Sequence, residues 1–473
     1  MPQGRDSLKF GTSGLRGLAV ELEGQAARQY VRAFIAYLSS IGSIGAGRIY
    51  LGRDFRPSSG AIVHDCAVAA FSQSLIPVDC GALPTPALAL HATAEGCPCI
   101  MVTGSHIPAD RNGLKFYLPS GEISKTDEAG ILAMLAKMAV EDAAITMADE
   151  SQLAGDRYRR RFASLLPPDA LTGLRIGVFE HSTVARDILA DVLRDFGAEV
   201  VSLGRIEGFV PVDTEAFADA VFEPMRDWLA EYELDAIVSA DGDGDRPLLM
   251  DETGEFVRGD TLGLIAARFL NANSVVTPVT SNSAIERTGY FSEVIRTRVG
   301  SPYVIEGLER AQGAAVGFEA NGGTFVGKGV RIGGEELAPL ETRDAVLPLL
   351  CALGLAAQKK TSINQLVSQL PLQCAMADRL QDVPSELSAA FLHRLVDDAD
   401  YAAAVFAPHD IRSVSDTDGV QFRTGTGDMV HFRASGNAPE LRCYVEGSTS
   451  EVARNLLDWG LAVASREVRR AES

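Results

Sequence analysis

The sequence predicts a layered α/β protein, and three observations carry that reading. Short aliphatic runs recur along the chain and end in polar or glycine-rich loops. Stretches of helical periodicity alternate with them. The chain is also long and apolar enough for several cores: 473 residues, 46% of them hydrophobic, which at about 100–200 residues per domain makes three or four domains.

Taken in order, "RIYLGRD" (48–54) and "CIMVTGS" (99–105) read as strands that end in loops. "LRIGVFE" (174–180) is another, followed by a helix in which Val184, Ile188, Leu189, Val192, Leu193 and Phe196 recur at helical spacing. "AEVVSLG" (198–204), "LDAIVSA" (234–240), "SVVTPVTS" (274–281) and "AAVGFEA" (314–320) repeat the strand style. Breaks fall near 150–156, 252–256 and 369–371. The last part differs in character, with the strand-like "GVQFRT" and "MVHFRAS" and a helical run from about 450. No tight repeat is visible, although three α/β segments of similar size stand in succession.

The formal net charge is −20, which argues against nucleic acid as the main partner, because a phosphate backbone needs a basic face. A few arginines focused in a cleft still suit a small anion. The seven cysteines are scattered without a C-x-x-C, and Cys97-Pro-Cys99 lies in an apolar run that reads as core. A reduced, cytoplasmic setting is expected. No signal peptide and no membrane span are read from the sequence.

Four stretches carry chemistry. In "DGDGDR" (241–246), Asp241, Asp243 and Asp245 alternate with glycines that let the loop curl, so that three carboxylates face one divalent cation. The plain alternative is a solvated acidic turn. An EF-hand does not fit, since Arg246 stands at the sixth position and a strand precedes the loop. In "RASGNAPELRCYVE" (433–446), Arg433, Ser435, Gly436 and Arg442 offer guanidinium forks, a hydroxyl and open N–H groups for a phosphate, with a plain turn between strands as the alternative. "GGTFVGKG" (322–329) lacks the hydroxyl that a P-loop needs after its lysine. Just before it, Glu319 and Asn321 in "GFEANGG" suit sugar hydroxyls, an ordinary loop being the alternative. Ser105, in "VTGSHIP", is no hydrolase nucleophile: His106 is adjacent and expected to point elsewhere, and the pattern is not G-x-S-x-G. A serine that passes on a phosphoryl group needs a metal and cations instead.

Together with "FGTSGLRG" (10–17) and "TGSHIPADRNGLKFY" (103–117), these motifs come in the order seen in the α-D-phosphohexomutases, and the chain resembles the bacterial phosphomannomutase/phosphoglucomutase type over nearly its whole length. The resemblance implies three similar α/β/α domains and a fourth, α+β domain like the TATA-binding protein around a central cleft, at 1–152, 153–253, 254–369 and 370–473. It implies a phosphoserine at Ser105, with His106 beside it, and Mg²⁺ held by Asp241, Asp243, Asp245 and a phosphoserine oxygen. Arg16, Lys115 and Arg246 resemble the active-site cations. Glu319 and Asn321 lie on the sugar loop, and Arg433, Ser435, Gly436, Asn437 and Arg442 on the phosphate loop. The implied activity is phosphomannomutase, through a hexose 1,6-bisphosphate. Phosphoglucomutase, phosphoglucosamine mutase and an inactive sugar-phosphate-binding protein are the alternatives, each as monomer or homodimer.

The chain departs from the family pattern in four places. Asn437 and Ala438 replace the usual Thr-Glu of the phosphate loop. Gly323 stands where the sugar loop often has histidine. "VGSPY" (299–303) lacks the histidine of the family's "TGH", and Ile107 takes the place of a common asparagine. The general base is therefore sought among Lys115, Arg16 and Arg246.

Overall fold

A computed structural model describes residues 7–11, 14–136, 140–407, 409–435 and 439–472. It divides into two compact units, one of Met1–Val276, Phe291–Ile295 and Gly300–Gln369, the other of Thr277–Tyr290, Arg296–Val299 and Leu370–Ser473.

The first unit carries three mixed sheets. In the first, the strands Arg48–Arg53 and Ile76–Ala82 run parallel, as do Arg48–Arg53 and Cys99–Val102. Cys99–Val102 then turns back antiparallel into Arg111–Leu118, which pairs with Leu15–Leu18. The second sheet orders Glu199–Leu203, Arg175–Phe179 and Ala236–Ala240 in parallel and closes with antiparallel Pro247–Asp251. The third sets Ser274–Pro278 parallel to Ala315–Phe318, which turns back into Thr324–Val326 and then Leu340–Asp344.

Helices cover these sheets for local reasons. Gln25–Ser40 buries an apolar stripe that includes Val31, Phe34, Ile35 and Leu38. Phe34 lies 4.9 Å from the ring of Phe116 on the sheet. Lys125–Ala133 starts at a reciprocal capping box between Ser124 and Asp127. Thr85–Ala94 carries Pro86 in its first turn, where a missing N–H costs nothing. The helix read from Val184 to Phe196 spans Arg186–Asp195, the two outer residues flanking it.

The seven strands read from the sequence are all present, each a residue or more shorter than read. The expected sequel differs. After Cys99–Val102, Ala236–Ala240 and Ala315–Phe318 the chain enters an antiparallel strand rather than a helix. The near-P-loop "GGTFVGKG" is part of the third such return, and Lys328 is exposed.

The second unit is α+β. Its five-stranded sheet runs Cys374–Leu380, Leu441–Gly447, Met429–Ala434, Val420–Thr424, Ile411–Ser415, all antiparallel. Helices Ser385–Asp397, Ala399–Val405 and Ser450–Glu472 accompany it. The core gathers Phe391, Phe406, Phe422 and Phe432, with the rings of Phe406 and Phe422 3.9 Å apart. Among the described residues no helix is long and apolar enough to cross a membrane. Because Phe432 is fully buried in this core, Phe432→Ala should destabilise the second unit by about 3–5 kcal/mol, read as a lowered midpoint in denaturant.

Candidate active site

The three return loops of the first unit come together. Residues 241–246 form the turn between Ala236–Ala240 and Pro247–Asp251, beyond the carboxyl end of a parallel strand. Asp241, Asp243 and Asp245 are buried, and one ligand oxygen from each lies within 4.8 Å of the others. The glycines act as the sequence implied. Gly244 takes φ +69°, and a Cβ on Gly242 would come within 3.0 Å of the Ser105 carbonyl oxygen.

Three buried carboxylates in one turn need positive charge. Burial, then Asp243 and Asp245, push the Asp241 carboxyl well above its ordinary range. Burial works the same way on Asp245, but Arg343, Lys115 and Arg246 outweigh it and hold its carboxyl low. The Lys115 ammonium donates to Asp243 Oδ2 and Asp245 Oδ2, both at 2.5 Å, and Arg343 Nε donates to Asp245 Oδ2 at 3.0 Å. Thr85 donates its hydroxyl to Asp243 at 2.5 Å. Even so, Asp243 Oδ1 and Asp245 Oδ1 are buried without a hydrogen-bond partner. Hard oxygen donors in excess of their protein partners fit a metal ion.

Ser105 meets this loop directly. Its hydroxyl donates to Asp241 Oδ2 at 2.5 Å. The residue lies three past the strand end and takes φ +53°, a left-handed conformation that non-glycine residues adopt at a cost. Arg56 holds it there. Its Nη1 donates to the carbonyls of Pro108 and Arg111, its Nη2 to those of Ser105 and Ile107, and its Nε to Asp54. The guanidinium also stacks on Phe209 at 4.1 Å.

His106 requires a correction. Its Nδ1 lies 3.2 Å from Ser105 Oγ rather than pointing elsewhere. Burial, then Arg246 and Arg16, push its pKa down to about 2, so the ring is neutral. Arg16 extends over Gly113, its register partner on the neighbouring strand, and burial followed by Arg246 and Arg343 lowers it to about 10. Lys115 and Arg246 move the other way: burial opposes their charge, but the aspartates overcome it. Arg246 lies 3.7 Å from Asp245 and 3.8 Å from Glu215.

The third loop supplies Glu319, which accepts from Arg343 Nη1 at 2.8 Å. Asn321 turns its oxygen back onto the Gly323 N–H at 3.0 Å. In the second unit, Arg433 stands opposite Arg442, and Arg442 opposite Arg379, across three neighbouring strands. Asp418 accepts from Arg433 at 2.6 Å, and Glu440 from Arg442 at 3.3 Å. Ser435 follows the strand and donates its N–H to none of these but to the Glu440 carbonyl at 2.9 Å. Gly436 and Asn437 lie outside the described residues.

Sequence reasoning missed Arg56, Thr85 and Arg343. None sits in a motif of its own; a charged residue flanked by strand residues, as in "ETRDAV", is the one signal Arg343 gave.

Three segments match the phosphoglucomutase/phosphomannomutase family: residues 7–141 its α/β/α domain I, 258–373 its α/β/α domain III, and 373–458 its C-terminal domain. The chain is 47% identical over 466 residues to a phosphomannomutase of Sinorhizobium fredii, covering 96% of this chain and 98% of the relative. It is 40% identical over 475 residues to a phosphomannomutase of Salmonella muenchen, covering 99% and 98%. A crystal structure of a phosphoglucomutase/phosphomannomutase family protein from Burkholderia thailandensis shares the fold with a TM-score of 0.76 at 20% identity, over 98% of this chain and 97% of that one.

Arg56 uses every donor of its fork, so a lysine in its place leaves carbonyls bare at about 1–3 kcal/mol each. Arg56→Lys should lower the melting temperature, and should speed amide exchange at Gly104–Ile107 more than in the strand Ile76–Ala82.

Proposed function

The chain belongs to the α-D-phosphohexomutases, in their phosphoglucomutase/phosphomannomutase family, and from that premise we propose that it is a phosphomannomutase working through a phosphoserine at residue 105. It interconverts mannose 6-phosphate and mannose 1-phosphate. The observation that carries the reading is the contact of Ser105 Oγ with Asp241, beside two aspartates that each keep a buried oxygen without a hydrogen-bond partner. The similarity to two phosphomannomutases over nearly the whole chain favours mannose over the other hexoses.

Asp241, Asp243, Asp245 and an oxygen on Ser105 would hold Mg²⁺, which when bound neutralises charge on the transferring phosphoryl group. The chain's own groups do the rest. The phosphoryl group leaves Ser105 Oγ for the free hydroxyl of the hexose phosphate, and the proton from that hydroxyl ends on Oγ, so a hexose 1,6-bisphosphate forms without net proton uptake. In a loose transition state the hydroxyl needs little help from a strong base. The site accordingly offers fixed cations: Lys115, Arg246 and Arg16. Neutral His106 lies against Oγ without adding charge. The family resemblance assigns Glu319 and Asn321 to the sugar, and Arg433, Ser435, Gly436, Asn437 and Arg442 to the phosphate that is not reacting, in both orientations of the bisphosphate. Arginines set abreast on adjacent strands repel one another, and an anion relieves that. Within this reading the domains end at 152, 253 and 369, each giving one loop. The seven cysteines are free thiols, six of them buried, which suits a reducing cytoplasm.

Ser105→Ala should abolish interconversion of mannose 1-phosphate and mannose 6-phosphate with the fold intact by circular dichroism, and a variant that kept a tenth of the rate would exclude the phosphoserine. Glucose 1-phosphate and glucosamine 1-phosphate are the comparison substrates. Asp243→Asn makes one of three hard ligands neutral, so calorimetric titration should show weaker Mg²⁺ binding, and turnover should fall by orders of magnitude. EDTA should silence the wild type and Mg²⁺ restore it.

A further inference from the structure

We infer that Arg343 is a positioning residue for sugar selectivity, filling the space that a side chain at position 323 would take and fixing Glu319 against the metal loop. The inference rests on the mutase reading and deepens it.

Residue 323 ends the sugar loop and is glycine where the family often has a larger side chain. A Cβ built there would lie 2.5 Å from both Cγ and Cδ of Arg343 and 2.8 Å from its Cβ. Such contacts are cheap when the neighbour can swing away, and Arg343 cannot. Its Nε is tied to Asp245 at 3.0 Å and its Nη1 to Glu319 at 2.8 Å, with the side chain buried. The residues on either side are fixed too. Thr342 Oγ1 lies 3.1 Å from the hydroxyl of Tyr117, and Asp344 accepts from Tyr158 at 2.8 Å and from the first N–H groups of the helix Val346–Lys359. Glycine at 323 and arginine at 343 are thus two halves of one arrangement.

That arrangement decides where the Glu319 carboxylate stands. Glu319 is buried and sits in a tight turn, with the Gly322 N–H on its carbonyl and its own N–H on the carbonyl of Gly323. Of its two carboxylate oxygens, Oε2 is held by Arg343. The same guanidinium grips a candidate metal ligand, so the sugar loop is set in register with the phosphoryl-transfer centre by one rigid fork. A carboxylate placed this way discriminates between hydroxyl configurations, because its fixed position decides where a sugar hydroxyl has to stand to donate to it.

The test is a double-variant cycle at saturating Mg²⁺, with kcat/KM measured on mannose 1-phosphate and glucose 1-phosphate. Gly323→Ala and Arg343→Ala should each lower kcat/KM for mannose 1-phosphate by about 10- to 100-fold, the scale of a displacement of about 1 Å in a site. Each should lower the ratio of mannose to glucose turnover as well, which general loosening would leave unchanged. In the Arg343→Ala background, Gly323→Ala should cost less than threefold, since the colliding stem is gone. Equal losses on both sugars, or an undiminished cost of Gly323→Ala in that background, would overturn the inference. Should Arg343→Ala not fold, Arg343→Lys decides: it keeps a cation without the fork, so a selectivity between those of the wild type and Gly323→Ala supports the inference and an unchanged one overturns it. A wild type inactive on every hexose phosphate would overturn the mutase reading and this inference with it.

Discussion

Burying three aspartates in one five-residue turn is the constraint on which the rest of the first unit depends. Asp241 and Asp243 are fully buried and Asp245 is 1% exposed, so none is solvated by bulk water. Charges in that position are stable only when paired and hydrogen-bonded. The partners come from elsewhere in the unit: Ser105, Lys115 and Thr85 from the first sheet and its helix, Arg343 from the third. The electrostatic demand of one loop thereby draws three sheets to one point. It leaves an excess of oxygen donors there, which is the condition for a hard cation.

A shared topology makes this convergence economical. Each of the three loops follows a strand with a parallel neighbour and leads into an antiparallel return. The first half of the pattern puts the loop at the carboxyl end of the sheet, where ligands gather in α/β proteins. The second half ties both ends of the loop to the same sheet, so the loop has little freedom to drift. Where a tie of that kind does not suffice, a side chain supplies it. Arg56 does so for the eight residues from Thr103 to Asp110, with its fork on four carbonyls and Phe209 on its face.

The second unit solves a different problem with the same means. Its sheet sets Arg433, Arg442 and Arg379 abreast on three adjacent strands, an arrangement that like charges disfavour. Asp418 and Glu440 offset part of that repulsion.

The sequence by itself determined the α/β class, the positions of the strands that lead into the three loops, and the carboxylate cluster of residues 241–245. Those are local properties: alternation of apolar runs, and "DGDGDR", whose spacing forces carboxylates together wherever the chain leads. It also singled out Ser105 and Lys115 through their motifs. It could not supply Arg343, Arg56 or Thr85, whose partners lie 98, 49 and 158 residues away along the chain. Nor could it orient His106, because adjacency says nothing about direction until the left-handed turn at Ser105 brings ring and hydroxyl to one side. Only the tertiary structure decided which side chains answer the buried charge. Pairing in a low-dielectric interior is settled by distance in space, and the sequence fixes that distance only through the packing of whole sheets.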